Sequence, residues 1–330
     1  MINIPISVLE LATVNIDSDF KTAIDDSMKI AQLADELNYK RIWFAEHHNM
    51  PNIASSATSL LIQLAALKTK KIRVGSGGIM LPNHSPLIIA EQFGTLETLF
   101  PNRIDLGLGR APGTDQVTAQ ALRRSELQSP LNFPADVREL QSYFKKDIQN
   151  SKVNAFPGKG LEIPIYILGS STSSAHIAAE FGMPYAFATH FAPAQFEAAA
   201  KIYRDNFRPS QQLEEPYLIA CVNVIAADTT EKAQFISTSF FNMIVNLVTN
   251  TRVGLSKPGE ISALINHPQI KSAVESFTAC TFIGDKENID KNINQFIKDF
   301  NLNELMVTTY AYEMEDKINS YKILAELMKE

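Results

Sequence analysis

Glu46-His47-His48 is the first place in the chain where side chains could move a proton. Imidazole is the side chain whose ordinary pKa lies closest to neutrality, so a histidine at a strand end is a candidate acid or base, with His47 the stronger choice. As a zinc site the pair is poor. Neighbouring side chains on an extended segment diverge, and His84, His176, His190 and His267 stand at no ligand spacing. A second candidate is Ser170-Ser171-Thr172-Ser173-Ser174, which follows Leu168-Gly169 and opens a helix. Hydroxyls together with the free N–H groups of a helix start suit a phosphate, although serine is also a favoured helix cap and capping alone is the other reading. Gly75-Ser76-Gly77-Gly78 ends a strand in residues with almost no side chain. Such a run either leaves room for a flat ring against the backbone or is a loose turn. Gly107-Leu108-Gly109-Arg110-Ala111-Pro112-Gly113 has Pro112 where the third glycine of a dinucleotide fingerprint belongs, so that motif fails. The segment reads instead as an active-site turn at a strand end.

These groups need a frame, and the hydrophobic pattern provides one. Short apolar or β-branched runs at Ile4 to Leu9, Arg41 to Ala45, from Ile72, Arg103 to Gly109, Ile165 to Leu168, Tyr185 to Ala188, Tyr217 to Ala226 and Glu304 to Thr308 read as strands. Stretches with apolar residues at helical spacing separate them, among them one with Ser85 and Pro86 placed as cap and first residue. Eight such units predict an α/β (β/α)8 barrel, a single domain over residues 1–330, with an insertion at about 229–303 between strands seven and eight that packs near the mouth. A doubly wound sheet also alternates strand and helix, but it should carry a glycine fingerprint after its first strand, and none is there. In a barrel the chemistry gathers at the C-terminal ends of the strands. Each of the motifs above falls at such an end.

With 330 residues, 45% hydrophobic and 20% charged, the chain can bury a sizeable core. A formal charge of −6 and the absence of a basic cluster argue against a nucleic-acid partner. Cys221 and Cys280 lie too far apart in sequence for a CxxC pair and read as buried small apolar residues. No apolar run approaches the roughly 20 residues of a membrane span, and Met1 to Leu11 has no signal-peptide pattern, which makes the cytoplasm the expected compartment.

From Arg41 to Gly113 the chain resembles the bacterial luciferase α subunit and its relatives: a strand into Glu46-His47-His48, then RVGSGGIMLPNHSP, then AEQFGTLETLFPNRIDLGLGRAPGT. The similarity continues through ILGSSTSSAHIAAEFGMPYAFATHF and weakens from Thr229 to Asn303. It implies a flavin-dependent monooxygenase in which reduced FMN, supplied by a separate reductase, reacts with O2 to give a C4a-peroxyflavin that oxygenates a small organic substrate such as an aldehyde. The family's acid/base histidine falls on His47. Its non-prolyl cis peptide beneath the flavin ring falls between Ser76 and Gly77, its phosphate-contacting arginine on Arg110, and its hydroxyl loop on Ser170, Ser171 and Ser174. Gly109 stands where luciferase has a cysteine, and a serine replaces the acidic residue of the phosphate loop, so the resemblance carries no inference of light emission. It points to a single-chain homodimer; an F420-dependent hydride-transfer enzyme and a non-catalytic flavin-binding protein share the barrel and stand as rivals. An apolar substrate pocket is expected near Phe191, Phe240 and Phe241.

Overall fold

The computed structural model describes residues 1–122, 132–146 and 152–328. Its strands are β1 (Ile6–Glu10), β2 (Arg41–Phe44), β3 (Arg73–Met80), β4 (Ile104–Gly109), β5 (Ile165–Gly169), β6 (Tyr185–Phe187), β7 (Leu218–Ala226), β8 (Thr281–Gly284) and β9 (Glu304–Thr308). All pair in parallel. β1 to β6 follow one another, β6 pairs with β7, and β9 lies between β7 and β1, which closes a ring of eight strands. The (β/α)8 barrel expected from the sequence is the observed fold.

Every residue of β1, β2, β4, β7 and β9 is buried, because a parallel barrel covers both faces of its strands. Alternation decides which core each residue joins. Val8, Ile42, Val222 and Val307 turn outward onto the helices, while Leu9, Trp43, Cys221 and Met306 fill the barrel. The helices are α1 (Phe20–Glu36), α2 (Thr58–Lys68), α3 (Pro86–Leu99), α4 (Gln116–Leu122), α5 (Phe133–Phe144), α6 (Thr172–Phe181), α7 (Phe196–Asp205), α8 (Thr230–Val248), α9 (Pro268–Thr278), α10 (Lys286–Phe300) and α11 (Met314–Leu327). Local chemistry sets several of their starts: Asp19, Thr229 and Asp285 accept the N–H of Thr22, Lys232 and Asn288. Both cysteines are free, Cys221 buried and Cys280 half-buried. Among the described residues no helix is long and apolar enough to cross a membrane.

Two expectations need revision. The non-prolyl cis bond joins Gly77 to Gly78, one residue beyond the predicted Ser76–Gly77 position. Ser76 remains in register, its Oγ accepting from Gly107 N–H at 3.0 Å and donating to Gly107 O at 2.8 Å, and the β3–β4 ladder shifts only between Gly77 and Ile79. The irregularity therefore falls where both residues are glycines: a Cβ on Gly77 would lie 2.7 Å from Leu9 Cδ1, and one on Gly78 2.7 Å from Gly107 O. Within 229–303, expected to be helical, Thr281–Gly284 is a strand. It pairs with Asn223 to Ala226, extending the edge of β7 that β6 occupies only as far as Ala220.

Candidate active site

At the C-terminal end of the barrel a cavity of about 260 Å3 opens. His47, Gly77, Arg110, Ser170, Ser171 and Ser174 all line it. Ser76 does not; its hydroxyl is taken up by Gly107 in the barrel wall.

The wall is shaped by what is missing from it. A Cβ on Gly109 would sit 2.4 Å from Met80 Sδ, and Gly113 adopts a left-handed φ of 65° while its carbonyl faces His47. Gly169 permits another close approach, since a Cβ there would coincide with the Ser174 hydroxyl. Ser174 Oγ is shared between the Ser171 carbonyl at 2.7 Å and Tyr185 Oη at 2.8 Å, so it fastens the loop from below. Ser171 occupies the N-cap of α6 in extended conformation, yet its side chain makes no capping bond, and Thr172 N–H is met by Gln195 Oε1 instead. Its hydroxyl is spare. On the loop after the neighbouring β4, the half-buried Arg110 has no hydrogen-bond or ion-pair partner among the described residues.

His47 follows β2, with its backbone N–H donating to Ser55 O at 2.9 Å and its Nδ1 3.3 Å from Gly113 O. Burial holds its imidazole below the ordinary histidine pKa against the opposing Gly113 carbonyl, so it is neutral at pH 7. Sequence reasoning gave Glu46 no role, but it ties the loop after β2 to the end of β3 and the turn that follows. Its buried carboxylate accepts from Met80 N–H at 3.1 Å, from Nε2 of both His48 and His84 at 2.9 Å, and from Asn83 at 3.3 Å. Burial pushes that carboxyl up, but the hydrogen bonds from His48 and His84 prevail and hold it at about 2.

Beyond Leu11, His47, His190 and Phe191 the cavity meets a second, of about 310 Å3, walled by α8 and the chain that follows it. Phe240 lines this chamber as expected, whereas Phe241 packs beside Phe240 in the cluster behind the wall. Each volume lies near the lower end of the roughly 300–1,000 Å3 common for small-molecule sites. His190, at the junction, was passed over in the sequence for lack of ligand spacing; its place just past β6, at a barrel strand end, was the available signal. Burial, and next the neighbouring His47, bring its pKa down to about 3 against the pull of the Cys221 carbonyl. Arg252 reaches from the second chamber to Asp115 at 3.2 Å and Asn49 O at 3.0 Å, joining the insertion to the loops after β4 and β2.

This arrangement can bind an anion beside a flat, apolar slot and move one proton where slot and chamber meet. The model of the luciferase-like monooxygenase family matches residues 5–254. The chain is 48% identical over 326 residues to the uncharacterized protein YvbT of Bacillus subtilis, covering 98% of this chain and 96% of that one. It is 42% identical over 327 residues to a luciferase-like monooxygenase of Escherichia coli K12, covering 99% and 98%. The crystal structure of apo-MsnO8 superposes with a TM-score of 0.91 at 30% identity over 98% of each chain. By sequence, by fold and by the strand-end position of its candidate site, the chain belongs to the luciferase-like monooxygenase family.

Proposed function

We propose that this protein is an FMN-dependent monooxygenase whose first cavity takes reduced FMN from a separate flavin reductase and whose second takes a small organic substrate. One observation carries the reading: Arg110, without a partner among the described residues, lines the same cavity as the uncommitted Ser171 hydroxyl at a helix start. A guanidinium and a helix N-terminus suit a phosphate dianion, and the glycine-lined wall suits a flat ring. Ser170 and Ser171 would complete the phosphate contacts, with Ser174 holding the loop in place. The family resemblance supports the flavin, and the failed dinucleotide motif after β4 supports a reductase elsewhere.

Bound reduced FMN supplies the electrons with which one atom of O2 enters substrate and the other leaves as water. The protein's own share is positioning and proton control. Leu168, Phe191 and the glycine wall exclude water from the ring's surroundings. His47, neutral and with its Nδ1 proton directed at Gly113 O, keeps Nε2 as the basic nitrogen at the junction.

The test is a titration of the purified protein with FMN, riboflavin and F420. FMN is expected to bind far more tightly than riboflavin. Arg110→Ala should weaken FMN by about 1.5–3 kcal/mol, the worth of hydrogen bonds to a charged group, and leave riboflavin nearly unchanged. Equal affinity for FMN and riboflavin, or binding of F420 in place of FMN, overturns the reading.

A further inference from the structure

The second chamber contains two buried polar atoms with no hydrogen-bond partner: Asn223 Oδ1 and His190 Nδ1. Asn223 is only 1% exposed and follows Ile219 and Cys221 on the inward-facing side of β7. Its amide can take one orientation only. Nδ2 donates to the His190 carbonyl at 2.7 Å and to Thr281 Oγ1 at 3.2 Å, and turning the group over would set two carbonyl oxygens face to face. The atom left over is therefore an oxygen that accepts and cannot donate. Around it the chamber is largely apolar, with Ile53, Phe240, Met243, Ile244 and Phe277 in its wall. His47 stands at the opening to the first cavity.

A buried acceptor without a donor is costly, and sites built around one reject occupants that fail to pair it. We propose that this chamber selects molecules with an apolar body and a hydrogen-bond donor, a hydroxyl or an amide N–H, which pairs with Asn223 Oδ1 and places the reacting carbon at the His47 junction. The inference rests on the second chamber being the substrate pocket. A bare alkanal offers only an acceptor and would leave Asn223 unpaired. The preferred substrate is then an apolar chain that also carries an O–H or N–H group.

The experiment compares N-octylacetamide with N-methyl-N-octylacetamide, which keeps the chain and carbonyl but lacks the N–H, by calorimetric titration of the full-length protein. FMN is titrated into the same samples. The secondary amide is expected to bind at least about tenfold more tightly, as one polar contact of roughly 1.4 kcal/mol would give. In Asn223→Leu, which keeps the side-chain volume, the two affinities should converge. A ratio near one in the unaltered protein, which needs no variant to fold, would mean that an ordered water alone satisfies Asn223 and overturns the proposal. So does a ratio that survives in Asn223→Leu, or failure of both amides to bind. Loss of FMN binding with the amide ratio intact would strike the flavin assignment and leave the donor selectivity standing.

Discussion

The two ends of the barrel interior handle polar groups in opposite ways. At the N-terminal end, Arg41 donates to Glu304 through Nε at 2.9 Å and Nη2 at 3.0 Å, to Asp105 at 2.8 Å, and to Tyr166. Ser7 and Tyr217 complete Glu304, while Trp43 and Arg73 complete Asp105. At the C-terminal end Arg110, His190 Nδ1 and Asn223 Oδ1 have no such partners among the described residues. The same strands build both ends: β2 carries Arg41 at the floor and leads into His47 at the mouth, and β7 begins just after Tyr217 and rises to Asn223. Buried polar groups ordinarily find partners, and these three residues without them all line one or other of the two cavities. Where every partner is already present, the cluster serves the fold.

The largest effect should separate these roles at the mouth. His47→Ala is expected to lower product formation by about 10²- to 10⁴-fold, the usual contribution of a placed acid or base, while FMN affinity and the unfolding midpoint hardly move. Stopped-flow mixing of pre-reduced FMN, O2 and a substrate that turns over would read the chemical step apart from binding. Undiminished product with collapsed FMN binding would make His47 a holder of the cofactor. At the floor the expectation reverses. Arg41→Ala strands two buried carboxylates and should cost about 3–5 kcal/mol in urea unfolding. An FMN affinity that falls while stability holds would dissolve the distinction between the ends.

A smaller effect sharpens the comparison through pH. His190 has a folded-state pKa of about 3 against an ordinary 6.5, so the unfolded chain binds its proton first. Stability is full above about 6.5 and is lost as pH falls, with His47 acting in the same direction. Glu46, held at about 2 against 4.5, adds its loss only below about 4.5. Between pH 7.5 and 5 the protein should lose on the order of 1–2 kcal/mol on account of His190, and His190→Phe should lose less over the same interval. Equal losses in urea titrations of the two proteins would assign the acid sensitivity to other groups.

The eight barrel strands were legible in the sequence because each is a short buried run bounded by turn residues. The four-residue β8 was not: Thr281-Phe282-Ile283-Gly284 lies between two helices and pairs with a strand more than fifty residues away in sequence. Arg110 was assigned through the family resemblance, and Ser170 and Ser171 also through their place between a strand end and a helix start; all three line one cavity because loops after barrel strands share one mouth. Ser76 and the cis bond were misplaced by one residue, since only the β4 partner reveals which glycine carries the irregularity. Glu46 stood within the quoted motif, but its work depends on His84 and Met80, which only the fold brings beside it. Asn223 left a signal that was not used, a polar residue in the inward register of an otherwise apolar strand.

The pairing of β8 to the far end of β7 makes the wall of the second chamber an interchangeable part. The excursion departs from β7 at Ala226 and returns to it by a ladder at Thr281–Gly284, so its two attachments lie side by side. Between them it brings α8, α9 and the apolar lining, whereas Arg110 and Ser171 reside on other strands' loops. On the proposed assignment of the second chamber to the substrate, exchanging the stretch between those attachments for that of a relative is expected to alter which molecules are accepted while leaving the first cavity's lining in place.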